Sequence, residues 1–372
     1  MVESASVWQA LSNLILWLLI YKVYAPARSV SYKFSIDRRW LGHLLILTFC
    51  LFPFFGGDYF HYKDDFYEFQ RGAYISLEPF YQWILRNTSL GSYTIFRLNI
   101  WGIALILLAC TYRNLGYSRH LVWFIFGICY LPMFSYARVS LSISLILFGI
   151  SYIVIHKDNK HILYLIVGLM CIASSEFFHR TAVIGIVAAI ASFFLISAGR
   201  KTIICFLLLI PFATIILGSI LNYISSLDLG LDMFISSKHI SEYLDADQQN
   251  ILGDGWGERI GIIFTRFPLF ISILLYLKLV FNGKYLLLTT LERAFASYSF
   301  IIITIALLFL VDLGFNTYTL HYRTLNFAMP AIAVFLAAVW RQGFHRRLLK
   351  FIVTTSSIGA VYTLIYSIYC AL

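Results

Sequence analysis

The sequence predicts an all-α, polytopic membrane protein, and three observations lead there. Of its 372 residues, 60% are hydrophobic and only 12% charged, with a mean hydropathy of +0.80. A soluble domain carries about 25% charged and about 45–50% apolar residues, so this chain lacks the polar surface to cover its apolar mass. The apolar residues also form unbroken runs instead of the alternation of an outer-membrane barrel. Finally, basic and acidic residues sort into different loops.

A helix crossing the roughly 30 Å hydrocarbon layer needs about 20 mainly apolar residues. Twelve runs meet that need, near residues 7–25, 40–55, 94–112, 120–135, 138–155, 162–178, 181–197, 202–222, 260–281, 294–315, 324–340 and 351–370. They make the whole chain, 1–372, a single transmembrane domain. No basic stretch precedes the first run and no small-residue cleavage site follows it, so it reads as a retained helix. Cys50, Cys110, Cys129, Cys171, Cys205 and Cys370 lie in or beside these runs, without CxxC or Cys/His spacing. They are expected to fill the core, with neither a disulfide framework nor a metal site.

The charges set the orientation. A formal net charge of +10 could suggest nucleic acid, but the positions of the charges exclude it. If alternate connections face the cytoplasm, those loops hold 18 of the 28 basic residues, accompanied only by Asp37, Asp158 and Glu292. This is the positive-inside asymmetry, and it places both termini outside. The cytoplasmic connections are short, and no GxxxxGK[ST] or Rossmann glycine pattern occurs. The two longer segments, 56–93 and 223–259, face outward, so an enzyme built this way works on the outer side without ATP, nucleotide sugars or another cofactor. Neither a repeat of 20–50 residues nor inverted symmetry is visible, which weighs against a transporter.

The informative residues are those the bilayer penalises. An Arg at mid-bilayer costs roughly 2.5–3.5 kcal/mol on insertion scales and so tends to face a polar cavity. Arg138, in SYARVSLSIS, opens the fifth run with Ser142 four residues on. Glu176, His179 and Arg180, in SSEFFHRTAV, sit between two runs, where helical spacing would put them on one face. His321, Tyr322 and Arg323 open the eleventh run, with Asn326 three residues beyond Arg323. Arg259 and Arg266, seven apart, share a face of the ninth. Guanidinium groups stay charged when desolvated and grip phosphate oxygens with paired hydrogen bonds. Several converging on one end point to an anionic ligand at membrane level, such as a lipid-linked pyrophosphate.

The first outer segment carries different chemistry. Asp58, His61, Asp65 and Glu68 recur at helical spacing, interleaved with aromatic residues from Tyr59 to Trp83. Flat apolar faces and carboxylate acceptors suit a sugar, while the same pattern also suits an amphipathic helix lying on headgroups. The adjacent pair Asp64-Asp65 is a weak cation signal, and no metal is assigned. In the second outer segment Gly253, Gly255 and Gly257 give the backbone the freedom of a lid or a plain loop.

Taken in order, these features resemble the EpsG/Wzy group of bacterial polysaccharide polymerases. The strings that carry the resemblance are DDFYEF and LEPFYQWI, the pair Phe96-Arg97, Arg138 at a helix start, EFFHRTAV closing a run, and HYRTLNF opening a late one. The resemblance implies a glycosyltransferase-C-like bundle in the bacterial inner membrane with its active site facing the periplasm. It would join undecaprenyl-pyrophosphate-linked repeat units of O-antigen, capsule or exopolysaccharide by direct displacement, inverting the anomeric carbon. Its partners would be those lipid-linked glycans and the bilayer, with a chain-length regulator and a flippase as neighbours, and no nucleic acid.

On this reading Arg138, Arg180 and Arg323 hold the donor pyrophosphate. His179, oriented by Glu176, is one candidate base, with Asp58, Asp64, Asp65 and Glu78 as rivals. His61, Arg97, Arg259, Arg266, His321 and Tyr322 complete the substrate contacts. The competing readings are an O-antigen ligase, with the same donor but a lipid A-core acceptor, and a flippase or other transporter.

Overall fold

The computed structural model describes residues 7–29, 33, 35–52, 58–72, 79–116, 119–134, 137–179, 181–197, 199–206, 208–209, 212, 256–311 and 318–371. All regular structure among them is helical. In chain order we label α1 (Val7–Tyr24), α2 (Ile36–Leu51), α3 (Asp58–Gln70), α4 (Pro79–Thr88), α5 (Tyr93–Arg113), α6 (Arg119–Ile125), α7 (Ala137–Asn159), α8 (Ile162–Ser174), α9 (Ala182–Leu195), α10 (Trp256–Phe281), α11 (Thr290–Val311), α12 (Tyr318–Gln342) and α13 (Arg346–Ala371). A π-helical turn, Phe126–Tyr130, and a 3-10 turn, Leu131–Met133, extend α6.

Length and composition suit seven of these to cross a bilayer: α1, α5, α7, α10, α11, α12 and α13. Three apolar stretches are shorter, α6 with its extension, α8 and α9. Eleven of the twelve runs read from the sequence fall on helices. The exception, 202–222, lies largely outside the described residues. Among the described residues, then, seven helices are of full length, against the twelve spans expected. Polar breaks shorten the rest: α2 has 16 residues, and α8 stops at Ser174.

The surface is what lipid requires. Leu163, Ile166, Leu169 and Met170 on α8, and Val183, Val187, Ile190 and Phe194 on α9, are exposed aliphatic or aromatic side chains at three- and four-residue spacing. In water such stripes would be an aggregation hazard; in hydrocarbon they cost nothing. At the centre lies α12, buried along nearly all its length against α11. Its Ala328, Ala331, Ala333, Ala337 and Ala338 are buried, and small residues let helices approach where there is no hydrophobic drive between them.

Two prolines each free a helical carbonyl, and one of these carbonyls makes a close contact. Pro330 has no N–H for the Asn326 carbonyl of α12, and Pro268 has none for the Phe264 carbonyl of α10. The Phe264 carbonyl meets α13 at Gly359, where a Cβ would lie 2.5 Å from its oxygen. Only glycine fits there. Gly149 and Gly168 do the same for α7 and α8, since a Cβ on Gly149 would stand 2.6 Å from the Gly168 carbonyl oxygen.

Named bonds distinguish the two ends of the bundle. At one end, Tyr285 donates to the Leu195 carbonyl at 3.2 Å and Arg293 to that of Ile196 at 3.0 Å, so the end of α9 meets the start of α11. Arg341, in the last turn of α12, pairs there with the buried Glu292 at 2.9 Å. Glu292 also closes a capping box: its carboxylate accepts Thr289 N–H at 2.9 Å, and its own N–H bonds the Thr289 hydroxyl at 3.2 Å. Just beyond α12, burial and then the charges of Lys278 and Lys284 hold the His345 imidazole below its ordinary range. We call this the basic end. It carries the cations that the sequence assigns to the cytoplasm.

Candidate functional site

The opposite end collects the residues that the bilayer should reject. Serines line the first turns of α7: Ser140, Ser142 and Ser144 are all buried. The Ser142 hydroxyl donates to the Ser175 carbonyl at 2.8 Å, pinning the start of α7 to the end of α8. The chain beyond Ser174 tightens into a 3-10 turn, Ser175–Phe177, and leaves helical geometry before His179. The single helical face expected for Glu176, His179 and Arg180 is therefore corrected for Glu176 and His179, because regular helix is lost between them, while Arg180 lies outside the described residues. The Ser175 hydroxyl bonds the Ile172 carbonyl at 2.6 Å, and the His179 N–H still reaches the Ser175 carbonyl at 3.3 Å.

His179 is buried, at 6% exposure. Its Nδ1 accepts the Thr181 N–H at 3.2 Å and lies 2.6 Å from the Thr181 hydroxyl. At Nδ1 the partner is Thr181, a contact separate from the orienting role expected of Glu176. Thr181 went unread, although a hydroxyl two residues from a histidine before a helix start is a recognisable signal.

Across the bundle, His321 at the start of α12 is wholly buried. Its Nδ1 sits 2.6 Å from the Ala306 carbonyl of α11. Phe270 of α10 lies against the imidazole, with ring centroids 6.0 Å apart. Arg266, one turn earlier on α10, is near enough for its charge to act on His321. Thus two residues from separate runs of the sequence meet. Below them Arg323 is half-buried. The neighbouring Thr324 hydroxyl and Asn326 Oδ1 are buried without a hydrogen-bond partner among the described residues. Buried polar atoms of this kind cost about 1–3 kcal/mol each, and they lie where Pro330 also leaves the Asn326 carbonyl without its helical donor.

The His179 side and the His321 side share this end of the bundle. A Cβ on Gly185 of α9 would touch both Ile146 of α7 and Phe327 of α12, so three helices meet there. The bonds at the basic end make α9 and α12 parallel, and the Ser142 bond makes α7 parallel to α9. At 1.5 Å per residue, Arg138 and His321 lie about 12 Å and about 9 Å from that contact along their helices. His179 precedes α9 on the same side. All three helices thus direct N-termini, with their partial positive charge, at one region.

The first outer segment adjoins this region. Phe80 of α4 packs on Phe177 and Phe178, with centroids 5.5 and 5.4 Å away. Phe66 of α3 and Tyr81 of α4 pack on Phe96 of α5. The helical spacing read for Asp58, His61, Asp65 and Glu68 holds, since all lie on α3. Asp64 is exposed and Asp65 half-buried. Arg97 is buried, and two of its nitrogens donate to the Cys50 and Leu51 carbonyls at 2.5 and 3.2 Å. It therefore caps the C-terminus of α2.

Arg138, Asp58, His61, Arg259 and Tyr322 lie on helical residues whose side chains are outside the described set, while Arg180 and Glu78 are outside it altogether. So is almost all of the segment 223–259. Among the described residues no group of three or more metal-ligating side chains gathers.

The chain matches the EpsG family over residues 39–371. No curated protein and no solved structure matches it.

Proposed function

The chain belongs to the EpsG family, the family of Wzy-type polysaccharide polymerases, and from that premise we propose that it joins undecaprenyl-pyrophosphate-linked repeat units at the outer face of the inner membrane. The bundle, on this reading glycosyltransferase-C-like, holds donor and acceptor at its His179 end, facing the periplasm. One observation supports this most: the convergence on one end of N-terminal helix ends, Arg266, Arg323 and the buried Thr324 hydroxyl and Asn326 amide oxygen, which have no hydrogen-bond partner among the described residues. A pyrophosphate at membrane level suits the charge of such a region.

The roles follow from the chemistry. Arg138, Arg180 and Arg323 grip the donor pyrophosphate and stabilise its charge as it leaves. Arg259 and Arg266 extend the same cationic wall. The aromatic and carboxylate surface of α3, with Asp58, His61, Asp64, Asp65 and Glu78, receives the sugars. Tyr322 lies beside His321 at the mouth. The acceptor hydroxyl displaces the pyrophosphate directly, so the anomeric carbon inverts.

Deleting the protein from its host tests the biological assignment. The lipid-linked glycans should collapse to single repeat units. Long polymer that is merely unattached to its final acceptor would instead make the chain a ligase, and an unchanged profile would end the assignment.

A further inference from the structure

Two buried histidines stand at this end, and their hydrogen bonds assign them opposite chemistry. A backbone N–H can only donate. Because Thr181 N–H meets His179 Nδ1, that nitrogen carries the lone pair, and a neutral ring then bears its proton on Nε2. A carbonyl can only accept. Because Ala306 C=O meets His321 Nδ1 at 2.6 Å, that nitrogen bears the proton and the lone pair lies on Nε2. The proton positions follow from the fixed partners, one an N–H and the other a C=O. His179 therefore presents a donor at Nε2, and His321 presents an acceptor at Nε2.

From these tautomers we propose that His321 is the general base of the polymerase and that His179 is a hydrogen-bond donor to the departing pyrophosphate. The proposal rests on the polymerisation reading above and deepens it. His321 Nε2 takes the proton of the attacking sugar hydroxyl as its oxygen bonds to the donor's anomeric carbon. The bond from that carbon to the pyrophosphate oxygen breaks, and the lipid pyrophosphate leaves with the electron pair. His179 Nε2–H bonds the departing oxygen without giving up its proton. The imidazolium then releases its proton to water, restoring the starting tautomer. The Ala306 carbonyl is already aligned to stabilise the imidazolium through Nδ1–H, as an orienting acceptor does for a catalytic histidine. Arg266, near enough for its charge to act on His321, is placed to meet the pyrophosphate charge when donor arrives.

Two substitutions separate these roles in an assay of purified protein with lipid-linked repeat units. His321→Asn keeps an amide N–H near Nδ1 for the Ala306 bond but removes the Nε2 lone pair. It should bind the lipid-linked donor within about threefold of wild type while the polymerisation rate falls about 10²–10⁴-fold, the usual worth of a general base. His179→Gln keeps an N–H near the Nε2 position and should stay within about tenfold of wild type, whereas His179→Ala should lose more. Polymerisation by His321→Asn within tenfold of wild type, or a His179→Gln rate as low as that of His179→Ala, would overturn the assignment. If wild-type protein itself extends nothing, it is the polymerase reading that fails and not the division of labour between the histidines. Donor binding by each variant reports whether its bundle is intact, and the His179 pair reads out independently should His321→Asn not fold.

Discussion

Arg323→Ala should reduce chain growth by about 10²–10³-fold, the loss expected when one preorganised donor to developing charge is removed. Arg323 is placed for that role by α12, the most buried helix of the bundle. It lies two residues from His321 and beside the buried Thr324 hydroxyl and Asn326 amide oxygen. Arg138→Ala should act alike, from the first turn of α7. Lysine at either position should restore only part of the rate, because an ammonium keeps the charge and loses the paired hydrogen bonds. Both variants should remain folded in membrane. The rate is read as polymer formed per unit of purified protein. Normal polymer from both alanine variants would contradict the pyrophosphate role.

The second large effect is on stability, at the other end. Arg341→Ala should destabilise the bundle by about 3 kcal/mol. That is the low end of the range for breaking a buried ion pair, since Arg341 is 22% exposed while Glu292 is 1% exposed. The loss comes from stranding the Glu292 carboxylate, which is fixed by the capping box of α11 and cannot turn to water. Glu292→Ala should cost as much or more, because it removes the cap as well, itself worth about 1 kcal/mol. Glu292→Gln paired with Arg341→Met should recover most of the loss. Thermal unfolding of the purified variants in one detergent checks the order. Equal melting temperatures for wild type and Arg341→Ala would show the pair to be idle. Polymerisation per folded molecule should hardly change, which separates this end from the catalytic one.

The helical architecture was legible in the sequence because in hydrocarbon a run of apolar residues has few structural options. What it could not show was where a run falls short. The α-helix ends at Ser174 and regular structure stops before His179, so Glu176 and His179 do not share the one helical face that they looked to have. Arg97, expected among the substrate contacts, has a structural bond no expectation included: it caps α2 through carbonyls 46 and 47 positions away. No local pattern reports such a contact. The same holds for His321 with Ala306 and with Arg266, whose elements meet only once the bundle closes. By contrast, the T-x-x-E of Thr289 and Glu292 is a local signature of a helix start, and Thr181 beside His179 is nearly one. The cations themselves were legible because the membrane penalises them, and the penalty points to function without saying which partner each will find.

The most direct measurement is a reconstitution of the purified chain in liposomes with one kind of undecaprenyl-pyrophosphate-linked repeat unit and no energy source. A ladder of products growing by one repeat, formed by wild type and lost in Arg323→Ala, is the predicted result. Units that cross the bilayer unextended, or that remain single with folded wild-type protein, would contradict the claim that this end of the bundle joins them.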